Sequence, residues 1–118
     1  MQNKINYLEV DEKKYPLIFN LNVMEKIQEK FGSITEWGNL TDGKSQEVNI
    51  KALKFGVMEM INEGIDIENE KITSEKRNFV TEKEVGRIIT NLGLQKMSNE
   101  VQNTVIDSTK VEDESKNV

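Results

Sequence analysis

Glu68 and Glu70, and again Glu82 and Glu84, are carboxylates two residues apart. Paired carboxylates are a residue type that general acid–base chemistry uses. The groups that would assist them are missing. The 118-residue chain has no His and no Cys, so it lacks the commonest general base, the usual zinc ligands and a thiol nucleophile. Glu82 and Glu84 also fall where acids suit the first turn of a helix. Structural roles are therefore expected for them, and solvated loop positions for Glu68 and Glu70. Asp42-Gly43-Lys44-Ser45 has the ending of a phosphate loop but not its earlier glycines or its leading strand. Asp66, Glu68 and Glu70 alternate as calcium-loop ligands do. However, Lys71 stands where that loop needs its turn glycine, and Arg77 where it needs the distal Glu. No catalytic residue, metal site or cofactor is expected, and no enzyme.

The elements that position these residues begin with a hairpin. Ile5, Tyr7, Leu8 and Val10 form one short apolar run. Tyr15, Leu17 and Phe19 alternate with Pro16, Ile18 and Asn20, the period of a strand. Asp11 to Lys14 is a polar connector of turn length. The break in alternation at Leu8 predicts a bulge. Pro16 cannot donate to a ladder, which predicts an edge strand or a strand start.

Helix signals follow at once. Asn20 or Asn22 caps a helix carrying Val23, Met24, Ile27 and Phe31 on one face, and Gly32 closes it. Ser33 and Glu36 form a capping box for a short helix with Ile34 and Trp37, ending near Gly38. Asn49 caps a longer helix to Gly64, with Ile50, Leu53, Val57, Met60 and Ile61 on one face. Ala52, Phe55 and Met58 widen that face. Such a helix is buried between other elements, or becomes buried when a partner arrives. Gly56 in its interior predicts a close approach.

Residues 65–79 lack helical periodicity and read as a long loop, with a short strand at Ile65 to Ile67. Thr81-Glu82-Lys83-Glu84 is a capping box, stapled by Val80 and Val85, for a helix that Gly93 stops. Leu94, Met97, Val101 and Val105 place a last helix from about Gln95 to Ile106. The fold class is α+β: a short N-terminal hairpin and four or five helices in one domain, residues 1–106. Residues 107–118 hold four acids and two valines, and are expected to be a disordered tail.

Composition limits the partners. Charged residues make up 31% of the chain and the net charge is −5. The basic residues are interleaved with acids, which opposes a phosphate-backbone footprint. The rival reading is a small regulatory or DNA-binding protein using a helix-turn-helix-like pair at 81–106. Its recognition helix, QKMSNEVQNTVI, would bring one lysine, one glutamate and no arginine, so no nucleic acid is expected. No apolar run reaches the length of about 20 residues that a membrane span needs, and the N-terminus does not read as a signal peptide. No membrane partner is expected.

Four segments carry a resemblance. They are the strand-to-helix entry from Tyr15 to Asn22, the helix ending EKFGS from Glu29 to Ser33, the helix NIKALKFGVMEMINEG from Asn49, and the helix start TEKEVG from Thr81. Together they resemble the small tail assembly chaperones of tailed phages and prophages, over about Lys4 to Leu92. The resemblance implies a non-enzymatic protein of the host bacterial cytoplasm, absent from the mature virion. It implies binding to the tape measure protein and promotion of tail tube protein polymerisation, with a homo-oligomer as one state. That task needs apolar surface for amphipathic helices, which Met-rich faces suit. The candidate partner-binding residues are Trp37, Phe55, Met58, Met60 and Met24. For Trp37, packing over Ile27 or Phe31 as core is the competing role.

Overall fold

Asp11 and Glu12 both have positive φ, 51° and 66°. Two such residues make the tight turn whose twist matches a right-handed hairpin. In this computed structural model, which describes residues 4–44 and 46–109, the turn joins β1 (Asn6–Val10) to β2 (Lys13–Leu17) in antiparallel register. The register runs without interruption from Val10↔Lys13 to Asn6↔Leu17, so the expected bulge is absent. The turn takes only Asp11 and Glu12, and Lys13 and Lys14 belong to β2. Pro16 lies opposite Tyr7. Counting outward from the Val10↔Lys13 pair next to the turn, this is a pair that exchanges no hydrogen bonds, so the missing N–H costs the ladder nothing.

Five helices follow: α1 (Leu21–Phe31), α2 (Ile34–Thr41), α3 (Ile50–Asn69), α4 (Glu82–Leu92) and α5 (Leu94–Thr109). The α+β class and the hairpin-then-helices order are as the sequence predicts. The caps are the local cause of each start. Asn20, not Asn22, caps α1, its side chain accepting from Val23 N–H. Ser33 caps α2, Asn49 caps α3, and Thr81 with Glu84 forms the reciprocal capping box of α4. Gly32 and Gly93 close α1 and α4 at φ 94° and 95°.

Three expected helix ends need correction. Gly38 does not end α2, which runs on to Thr41. Gly64 does not end α3, and residues 65–69 are neither loop nor strand but helix. The reason is packing. A Cβ on Gly64 would stand 2.7 Å from Cβ of Pro16, so the glycine admits β2 rather than stopping the chain. Ile65 continues the face of Ile61, and both are fully buried. At the other end of the chain, α5 runs three residues past Ile106, to Thr109. The rest of the expected disordered tail, residues 110–118, lies outside the described residues.

The core is one cluster in which α3 is central, with β2, α1, α2 and α4 against it. Leu8, Leu17, Phe19, Val23, Ile27, Leu53, Val57, Val85 and Met97 fill it. Ile50, expected on the core face, is half exposed because it is the first residue of the helix. A buried polar link joins α2 to α5. Ser98 donates to the Thr41 carbonyl at 3.1 Å, and Thr41 Oγ1 donates to the Trp37 carbonyl at 2.9 Å. The orphan Thr41 carbonyl at the end of α2 is thereby satisfied.

Candidate functional site

The carboxylate pairs occupy structural positions. Glu68 accepts the Tyr7 hydroxyl, and the Glu70 N–H caps α3. Tyr7 is consequently pushed above the usual phenol value, first by that hydrogen bond and then by burial and the Glu68 charge. Glu84 accepts the Thr81 N–H at 2.8 Å. Asp66 and Glu68 lie on a helix, where residues two apart point to different sides, so they cannot wrap an ion as loop ligands do. Among the described residues no group of three or more His, Cys, Asp or Glu is placed to hold a metal. Asp42 Oδ1 accepts from Lys44 N–H at 2.9 Å, a local turn that follows a helix and not a strand. Ser45 lies outside the described residues.

The five candidate partner-binding residues divide into two sets. Trp37 and Met60 are core residues here, 2% and 0% exposed. The Trp37 indole N–H donates to the Ala52 carbonyl at 3.0 Å, and its ring stacks on Phe19 at 6.3 Å between centroids. So the tryptophan is a core residue against Phe19 and α3, in the cluster that also holds Ile27 and has Phe31 at its margin. Met24, Phe55 and Met58 are half-buried at the rim of the core. Phe55 meets Phe31 edge-on at 5.7 Å, and Lys30 Nζ sits 4.8 Å from the Phe55 ring centroid. These contacts tie α1 to α3 and leave part of each side chain in solvent.

Two apolar grooves were not anticipated. The first, about 330 Å³, lies between α2 and α5 and is lined by Ile34, Trp37, Val101, Val105 and Ile106, with Thr35 and Gln102 among its polar members. The second, about 340 Å³, lies where α3 faces α4 and the start of α5, with Ile50, Leu53, Ile89 and Leu94 along it. Ile50, Leu94 and Ile106 are each more than two-fifths exposed. The signal for Ile106 was in the sequence. It falls outside the Leu94, Met97, Val101, Val105 spacing and so points away from the core face.

A smaller cleft separates α1 from α3. Asn20 and Asn22 donate to Glu63 there at 2.8 and 3.1 Å, beside Lys26 and Glu59. Glu59 is raised above the usual carboxylate value. Burial is the main cause; Glu63 adds to it and Lys26 opposes it.

Comparison with protein-family models, curated proteins and solved structures finds no match. No helix among the described residues is long and apolar enough to cross a membrane.

Proposed function

We propose that this chain is a non-enzymatic assembly chaperone of phage or prophage tails. It binds amphipathic helices of a tape measure protein and promotes polymerisation of the tail tube around it. The observation that carries the reading is the α2–α5 groove. Its walls are aliphatic and Trp37 lies at its base; one rim residue, Ile106, is 55% exposed. Such a trough suits the i, i+3, i+4 face of a partner helix, the usual helix-in-groove mode. Polar Thr35, Asn39 and Gln102 along the groove offer hydrogen bonds, and Asp42 adds one carboxylate to its lining. The half-buried Met24, Phe55 and Met58 offer a second adaptable contact on the α1–α3 side. The four sequence segments that resemble the tail chaperones supply the identity of the partner.

A co-expression experiment tests this. The partner is the tape measure protein encoded in the same genome. Ile106→Asp places a charge in the groove without touching the core. It should abolish co-purification while leaving the melting temperature within a few degrees. Equal co-purification by the variant would remove the groove from the account.

The helix-turn-helix reading gains no specific support. The face that α5 turns to solvent carries Lys96 alone among cations, against Glu100 and Asp107 elsewhere on the same helix. The localisation in the host cytoplasm belongs to the chaperone proposal and stands or falls with it.

A further inference from the structure

The hairpin has two edges, and they differ. In β2 the groups facing away from β1 belong to Lys14, Pro16 and Ile18, by the alternation of the antiparallel ladder. Pro16 has no N–H to offer. The Ile18 N–H is taken by the Met60 carbonyl at 3.4 Å, and Pro16 packs on Gly64. Helix α3 therefore covers this edge. In β1 the outward groups belong to Ile5, Tyr7 and Glu9. Among the described residues no backbone hydrogen bond outside the ladder reaches any of them, and Tyr7 is 49% exposed. Natural sheets blunt open edges with Pro, Lys or a bulge. The strand NYLEV has no Pro, Lys or bulge, and its one charge, Glu9, is turned toward Lys14 of β2 at 3.8 Å.

We propose that the outer edge of β1 pairs antiparallel with the same edge of a second copy of this chain, giving a four-stranded sheet across a two-fold axis at Tyr7. The sequence selects this register. Centring on Tyr7 sets Tyr7 against Tyr7 and Ile5 against Glu9 of the second copy, each pair exchanging both backbone hydrogen bonds. It also brings Lys4 to Val10 of the second copy, beside the acidic turn Asp11–Glu12, so opposite charges meet at each end. Centring on Glu9 would place like charges face to face, which disfavours it. The Tyr7 hydroxyl is held by Glu68 of its own chain, which ties the ring toward the end of α3 and not along the strand edge. Because the β2 edge is covered, the contact is isologous and closes at two copies.

Nothing in this rests on the chaperone reading; the measurement needs only the full chain. Sedimentation velocity from micromolar to millimolar protein should show exchange between one and two protomer masses. Hydrogen exchange at Tyr7 and Glu9 should slow by about tenfold or more on concentration, because pairing buries those N–H groups. The chain has no native cysteine, so single substitutions report position cleanly. Tyr7→Cys should form a disulfide-linked dimer under mild oxidation. A directly opposed pair has Cα atoms about 5.5 Å apart, within disulfide reach. Lys14→Cys, on the covered edge, should stay monomeric. A single protomer mass at every concentration overturns the proposal. So does a dimer whose Tyr7 and Glu9 exchange is unchanged, or one that Lys14→Cys links as fast as Tyr7→Cys.

Discussion

The Trp37 ring lies where a side chain at position 56 would go: a Cβ on Gly56 would stand 2.3 Å from it. The ring cannot yield easily, because Phe19 stacks on it and Ala52 holds its N–H. Gly56→Ala should therefore cost about 1–3 kcal/mol by overpacking. That is so even though alanine is better than glycine in a helix by about 1 kcal/mol. Trp37→Ala should cost about 3–5 kcal/mol, the range for a large aromatic lost from a core. In the double variant the second change should cost less than it does alone, since the two residues share one space. Thermal melts of the three variants check this; strict additivity would separate the residues. At Glu59 the sign is the reverse of a salt-bridged carboxylate. Its folded pKa is raised, so its relative stabilisation is present below the ordinary value of 4.5 and is lost as pH rises through the folded value. Glu59→Gln should be more stable than the parent at neutral pH, with the gap closing as pH falls below 4.5. A gap that widens in acid would contradict the assignment of burial as the cause.

Asn62 and Asn69 lie two helical turns apart on α3 and act together on the segment that leads to α4. Asn62 donates to the Val80 carbonyl at 3.0 Å and accepts the Val80 N–H at 2.8 Å. Asn69 does the same to Arg77, at 2.9 Å in both directions. Each amide thus stands in for a backbone partner and straps the connector to the helix. Asn62→Ala should leave two groups of Val80 unpaired. It should cost about 1–3 kcal/mol and speed amide exchange at Val80 and Thr81. An unchanged exchange rate would show the strap to be unimportant. This device explains what the sequence hid. Capping residues are short-range signals, and Ser33, Asn49 and Thr81 were readable as helix starts without any knowledge of the fold. The end of α3 was not, because Gly64 and the alternation of Ile65 and Ile67 imitate a helix stop and a strand. Only contact with Pro16, distant in sequence, gives that glycine its reason. The grooves were hidden for the same cause. Whether Ile50 or Ile106 is covered depends on how helices cross, whereas the buried face of α4 follows from Val85, Ile88 and Ile89 alone.

At the scale of the molecule, a net charge of −5 with interleaved cations gives no stripe for phosphates. A gel-shift titration with duplex DNA should show no saturable complex at micromolar protein. Tight binding with a steep salt slope would favour the helix pair α4–α5 as a nucleic-acid reader. Two of the open features of the described chain are apolar grooves between helices, around a core that α3 holds together. The proposed chaperone role uses the grooves to hold helices of another chain. The most direct measurement is the solubility of the tape measure protein from the same genome, made with and without this chain and assayed by centrifugation. Co-production should move the tape measure protein into the soluble fraction in complex with this chain, and Ile106→Asp should reverse the shift. A tape measure protein that aggregates equally in the presence and absence of the chain would contradict the chaperone proposal.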